Sequence, residues 1–440
     1  MRQLFGTDGM RGVAGEYPLD PPTTFAVGLA LGRWISSHHL HPEVVIGMDT
    51  RESGPWIARH VAGGLAREGV RVRFAGLITT PGIAYTTREG PFAAGVMISA
   101  SHNPYQDNGI KIIDHSGFKL ADEQEHALER DILTFSGAPE PAALTVDEGL
   151  DSAYVDHLAA TLASGIPGTR LIVDAANGAA TYLAPALFER LGARVACIGC
   201  SPDGRNINLN CGSLHLDHLR AQVLAAGAEL GVAFDGDADR ALFVSHSGKI
   251  VDGDAVMLLA ARPLHAQGRL KEVVATVMSN LGLERALQRD GIALVRTPVG
   301  DKYVLEEMVR RDAPLGGEQS GHVIFRDYAT TGDGLLTALR VLQVMRDSGR
   351  DLDALIADLE VYPQLLVNVR VKQKRSLADL AGVNEQIRRA ESEFGDSGRV
   401  LVRFSGTEPL ARVMVEGPEI GRVEHFAHSI ADAIRSELGG

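Results

Sequence analysis

"EVVIGMDTRESGPWIARHVAGGLAREGVRVRFAG", residues 43–76, holds an aliphatic run, a polar turn, an amphipathic stretch, a glycine and a second aliphatic run. That is the pattern of strand, helix, strand. The phrase recurs as "RLIVDAANGAATYLAPALFERLGARVACIG" at 170–199 and as "EVVATVMSNLGLERALQRDGIALVRTPVG" at 272–300. The aliphatic runs do not alternate with polar residues, so both faces of each sheet are expected to be buried, as in α/β layers. Gly69, Gly192 and Gly291 follow the amphipathic stretches and are expected to end the helices.

Three copies predict three related α/β domains. From "YPQLLVNVRV" at 362–371 the pattern changes to a strand, a charged helix, two strands and a final helix, a smaller α+β unit. Four domains follow, at 1–145, 150–247, 248–362 and 366–440. The Pro-, Gly- and acid-rich "SGAPEPAALTVDEG" at 136–149 reads as a linker, and another break is expected near 245–254.

Composition narrows the function. The 440 residues are 45% hydrophobic and 22% charged, ordinary for a globular chain. A net charge of −13 argues against nucleic acid or an anionic membrane as the main partner, though not against an anionic substrate met by local arginines. Three cysteines suit a reducing compartment rather than a disulfide scaffold, and "CIGC" (Cys197, Cys200) reads as the end of a buried strand. "MRQLFGTDGMRG" is no signal peptide, and "FAVGLALGRWI" is too short to span a bilayer, so a cytoplasmic protein is expected.

Four stretches carry chemistry. In "AFDGDADRALFV", Asp235, Asp237 and Asp239 alternate between aliphatic runs. Carboxylates so placed repel unless a cation lies among them, and hard oxygen ligands suit Mg²⁺. In "LVRFSGTEPLARVMVEG", Arg403, Ser405, Gly406 and Thr407 form a compact donor set for a phosphate dianion, with Arg412 as a second cation. In "PLGGEQSGHVIF", Glu318 and Ser320 suit neighbouring sugar hydroxyls, while His322 could bind, move protons or fill space. In "ISASHNPYQDNGIKII", Ser101 ends an apolar run without the elbow motif of a serine hydrolase. A phosphoryl group on Ser101 would explain the metal loop and the cations Lys111 and Arg11 together.

The ordered motifs FGTDGMRG, ISASHNPYQDNGIKI, DGDADR, GGEQSGH and RFSGTEP resemble those of the α-D-phosphohexomutase superfamily from residue 5 to the final helix. "NINLNCGSLHLDHL" and "VGDKYVLEEM" resemble its glucosamine-phosphate branch. The resemblance implies a heart-shaped arrangement of four domains round a central cleft. It implies phosphoserine at Ser101 and one Mg²⁺ on Asp235, Asp237, Asp239 and a Ser101 phosphoryl oxygen. The substrate phosphate would lie on Arg403, Ser405 and Thr407, and sugar hydroxyls on Glu318 and Ser320. The implied reaction interconverts glucosamine 6-phosphate and glucosamine 1-phosphate through glucosamine 1,6-bisphosphate, feeding UDP-N-acetylglucosamine synthesis. Lys111, Arg11 and His322 are the candidates for proton transfer and charge neutralisation. A small phosphosugar is the expected partner, and a homodimer is allowed. Ala238 stands where many relatives have glycine, and Pro298 where some have lysine. The competing readings are a mannose- or glucose-phosphate mutase of the same superfamily and an aspartate-based sugar-phosphate phosphatase, in which Ser101 has no job.

Overall fold

The structure is a computed structural model and describes residues 4–6, 8–405 and 409–439. The chain forms two compact units, Met1–Met278 with Leu294–Ala357, and Ser279–Ala293 with Asp358–Gly440.

The larger unit carries three sheets. The first contains β1 (Phe5–Gly6), β2 (Gly9–Val13), β3 (Glu43–Met48), β4 (Arg71–Leu77), β5 (Ala94–Ile98) and β6 (Asp107–Asp114), in the order β1-β2-β6-β5-β3-β4. β3 runs parallel to β4 and β5, and β6 is antiparallel to β5 and β2. The second contains β7 (Arg170–Asp174), β8 (Arg194–Ile198), β9 (Leu230–Phe234), β10 (Ala241–Ser245) and β11 (Ile250–Val251), in the order β11-β10-β9-β7-β8. The third contains β12 (Glu272–Thr276), β13 (Ala293–Thr297), β14 (Leu315–Gly317) and β15 (Val323–Phe325), in the order β13-β12-β14-β15. In the smaller unit β16 (Gln364–Arg370), β17 (Arg399–Phe404) and β18 (Leu410–Glu416) form an antiparallel sheet, β16-β18-β17. The helix Ile420–Leu438 seals its core through Val423, Ile430 and Ile434 against Val413 and Val415.

Each repeated phrase is a strand, helix and strand, as β3 to β4, β7 to β8 and β12 to β13. Gly69, Gly192 and Gly291 take positive φ of 76°, 92° and 77° just past their helices, so they end them as expected. Burial follows the expectation only for the first strand of each repeat. β3 and β7 are buried almost throughout, but β4, β8 and β13 end their sheets in the strand order and are partly exposed. Reading "RVAC" as a buried strand is therefore corrected. Cys197 lies on the exposed edge strand β8 and is disulfide-bonded to Cys200, while Cys211 is a buried free thiol.

The segment at 136–149 is not a free tether. Ala142 N–H donates to Arg59 at 2.8 Å, Asp147 N–H donates to Phe74 at 2.8 Å, and Val146 bridges to that same Phe74 of β4. At 245–250 β10 and β11 form a hairpin. Among the described residues no helix is long and apolar enough to cross a membrane.

Two strands aim the chemistry. β5 and β9 are wholly buried inner strands, and the turns after their carboxyl ends carry Ser101 and Asp235. Loops at strand carboxyl ends are where open α/β sheets place their sites.

Candidate active site

Ser101 is 1% exposed and has φ of 51°. A non-glycine residue in the left-handed region is uncommon and costs of order 1 kcal/mol or more, so the surroundings must hold it. They do. Ser101 N–H donates to Ser99 Oγ at 2.9 Å, and Ser99 Oγ donates to Asp49 at 2.6 Å. Arg51, fully buried, pairs with Asp49 at 2.9 Å and donates to the Ser101 and Asn103 carbonyls at 2.9 Å each. Asn208 donates to the same two carbonyls at 2.9 and 3.0 Å. The Ser101 hydroxyl donates to the carboxylate of Asp235. Beside it, burial and then Arg240 and Arg11 push the His102 pKa down to about 4, so this imidazole is neutral near pH 7.

Asp235, Asp237 and Asp239 are buried, and each brings a carboxylate oxygen within 4.8 Å of the others. Asp237 Oδ1 and Asp239 Oδ1 are buried without a hydrogen-bond partner. Buried polar atoms seldom go unpaired, so these oxygens have the chemistry of ligands awaiting a cation. Burial, and then Asp239 and Asp237, push the Asp235 pKa well above the carboxylate range. Ala238 turns the loop with φ of 54°, where glycine would be unstrained, and its carbonyl accepts Gly334 N–H at 2.9 Å.

Cations close this loop. Lys111, 1% exposed on β6, lies 2.8 Å from Asp237, 3.5 Å from Asp239 and 3.3 Å from Asp8. Burial alone would lower its pKa; Asp237, Asp8 and Asp239 outweigh this and hold it well above the usual lysine value. Thr80 Oγ1 donates to Asp237 at 2.5 Å. Arg11 on β2 pairs with Asp8 and does not reach the aspartate loop by any ion pair among the described residues. His322 is 2% exposed, and its Nε2 accepts Gly332 N–H at 3.0 Å. That donor fixes the ring proton on Nδ1, which faces Asp239 at 3.7 Å.

Glu318 and Ser320 form a small cradle: Ser320 Oγ donates to Glu318 Oε2 at 3.2 Å, and Gly300 N–H donates to Oε1 at 3.2 Å.

In the smaller unit, Arg403 on β17 sits directly opposite Arg412 on β18. Directly paired residues share a sheet face, so the two guanidinium groups are neighbours. Burial and then Arg412 lower the Arg403 pKa. Lys374 Nζ donates to the Ser405 carbonyl at 2.6 Å, adding a third cation. Gly406 and Thr407 lie outside the described residues.

Several members of this machinery were passed over in the sequence. Asp49 and Arg51 stand in "MDTRES", read only as a polar turn, and Asn208 stands in "NINLN". Arg240 closes "DGDADR", where its own N–H donates to Asp235 at 3.2 Å. Lys119 bridges Asp8 and Asp301, and Asp301 in turn lies 3.7 Å from His322. The usable signal was charge beside an aliphatic strand end, which the helix and strand pattern masks.

The chain matches family models described as phosphoglucomutase/phosphomannomutase alpha/beta/alpha domain I at residues 2–136, domain II at 152–248 and domain III at 252–362, and the C-terminal domain at 366–433. It belongs to the phosphoglucomutase/phosphomannomutase family of phosphohexomutases, with that family's four-domain α/β architecture. Within it the similarity is to phosphoglucosamine mutases. The one from Solibacter usitatus is 60% identical over 100% of this chain and 99% of its own length, and that of Koribacter versatilis 51% identical over 100% and 98%. Among solved structures, a putative phosphomannomutase from Thermus thermophilus is similar with TM-score 0.78 and 27% identity, covering 98% of this chain and 97% of the other. An N-acetylglucosamine-phosphate mutase in its substrate complex has TM-score 0.66 at 19% identity, covering 98% and 95%, a likeness of fold.

Proposed function

We propose that this protein interconverts glucosamine 6-phosphate and glucosamine 1-phosphate in the cytoplasm, with Ser101 as the phosphoryl carrier. The observation that carries the reading is the buried Ser101 hydroxyl donating to Asp235, first carboxylate of a three-aspartate loop. Relatives of 51 to 60% identity bearing the name phosphoglucosamine mutase support the choice of sugar.

In the working cycle Ser101 carries a phosphoryl group, and glucosamine 6-phosphate binds with O1 toward it. The P–O bond to Ser101 Oγ breaks as the bond to O1 forms, O1 gives up its proton while the freed Ser101 Oγ takes one up, and the product is glucosamine 1,6-bisphosphate. The bisphosphate then presents its 6-phosphoryl group to Ser101; the P–O6 bond breaks as the bond to Ser101 Oγ forms, the serine hydroxyl gives up its proton while O6 takes one up, and glucosamine 1-phosphate is left. Phosphoryl transfer is governed by positioning and by charge on the transferring group. Asp235, Asp237 and Asp239 would hold Mg²⁺, which supplies neutralisation of that charge when bound. Lys111, kept charged by its three carboxylates, adds to this. Glu318 and Ser320 would take sugar hydroxyls, and Arg403, Arg412 and Ser405, with Gly406 and Thr407, the distal phosphate. His322 braces Asp239 through Nδ1.

An aspartate-based phosphatase fits less well, because Asp235 already receives Ser101. The test is intact mass before and after a hexose bisphosphate, with peptide mapping. We expect one phosphoryl group on Ser101 that exchanges with labelled glucosamine phosphate in preference to glucose or mannose phosphate. No phosphoryl group on Ser101 under any condition overturns the reading.

A further inference from the structure

Far along the larger unit from the metal loop, the helices Gly253–Ala266 and Gly334–Ser348 enclose a cavity of about 400 Å³. Both helices begin at catalytic loops: Gly253 N–H donates to the Gln319 carbonyl at 3.0 Å and Gly334 N–H to that of Ala238 at 2.9 Å. The cavity lies toward their other ends, about 10–20 Å along the axes at 1.5 Å per residue. None of the residues assigned above to the mutase site lines it.

Its wall is apolar, with Leu259, Phe325, Val344 and Leu355. Its lining carries more positive than negative charge, with Arg262, Arg269, Arg340 and Arg350 against Asp327 and Asp347. Both carboxylates are taken, Asp327 by Arg269 at 2.5 Å and Asp347 by Arg346 at 2.7 Å. Arg340 is the informative member. It is 8% exposed, stacks 4.6 Å over the Tyr328 ring and donates to the Thr161 carbonyl, yet its Nε is buried without a hydrogen-bond partner. Buried donors are nearly always satisfied, and guanidinium groups suit phosphate oxygens.

We propose that this cavity is a second ligand site, for an aromatic organic phosphate of mononucleotide size. The volume lies in the range of small-molecule sites. The apolar wall takes a planar ring, and the arginines take the phosphate.

Isothermal titration of the full chain with adenosine 5′-monophosphate and uridine 5′-monophosphate tests it. Adenosine and inorganic phosphate serve as the separate halves. We expect at least one nucleotide to bind with Kd below about 1 mM, and each half at least tenfold more weakly. Arg340→Leu should weaken binding at least tenfold. Because Arg340 also holds Thr161, Val344→Trp, which fills the cavity from a half-buried wall, is the second variant and should do the same. Silence from both nucleotides up to about 5 mM, or binding that Val344→Trp leaves unchanged, overturns the proposal.

Discussion

The guanidinium of Arg51 donates to the carbonyl of Ser101 at 2.9 Å, holding a left-handed serine from the turn after a neighbouring strand. It also donates to Asn103, Pro104 and Asp107 carbonyls and pairs with Asp49. Arg51→Met would leave a buried carboxylate and these acceptors without their donor. Breaking a buried pair this way costs about 3–5 kcal/mol. We expect a large fall in the urea midpoint and, in the folded fraction, a kcat loss of tenfold or more with KM little changed. An unaltered kcat would show that the serine turn holds without Arg51.

Asp237→Asn removes a charge from the aspartate loop and from Lys111, 2.8 Å away. The expected result is a metal affinity at least tenfold weaker, about 1.4 kcal/mol. Magnesium-dependent rise in Tm reads this without any turnover. The same magnesium response in variant and parent would remove Asp237 from the ligand set.

Lys119 lies between Asp8, which faces Lys111, and Asp301, which faces His322. Its charge positions both partners. Lys119→Met should lower kcat about tenfold at similar KM, and Lys119→Arg should recover part of it. If stability falls but kcat per folded molecule does not, Lys119 is only a fastening.

Arg403 and Arg412 stand opposite each other, so each already bears the other's repulsion. A dianion relieves it. Arg403→Ala is expected to raise KM for the phosphosugar tenfold or more, with a smaller change in kcat. Lost kcat at constant KM would move Arg403 into the chemical step.

Burial raises the Asp333 pKa to about 6, though Leu336 N–H at 2.9 Å and Tyr154 at 2.8 Å oppose the rise. A raised folded pKa adds stability below the unfolded value near pH 4 and loses it as pH climbs through about 6. Asn can still cap the helix. Asp333→Asn should therefore gain on the parent in urea midpoint from pH 4.5 to pH 8, by as much as about 3 kcal/mol. A difference flat across that range refutes the buried titration.

The three strand–helix–strand phrases were legible because each repeats the same periodicity, and Gly69, Gly192 and Gly291 end their helices by a rule of local backbone geometry. Asp235, Asp237 and Asp239 were legible because acidic residues between aliphatic runs have few other uses. What stayed hidden depends on strand order. Nothing in "RVAC" says that β8 lies at an edge, since that is decided by which strand pairs beyond it. Arg51, Asn208 and Lys119 serve partners 50, 107 and 182 positions away, and no local pattern marks such a residue.

The third repeat is divided: its helix Leu281–Arg289 belongs to the smaller unit, where Leu281 N–H meets Glu416 at 2.8 Å and Arg285 meets the Tyr362 hydroxyl at 2.6 Å. The chain therefore passes between the units three times, at 278/279, 293/294 and 357/358. A protease that nicks only the last passage leaves the C-terminal piece without a covalent link but still packed on a helix that the remaining chain holds from both ends. A gene fragment beginning at residue 358 would lack one of its own packing elements, so an excised version has to carry residues 279–293 on a new connection.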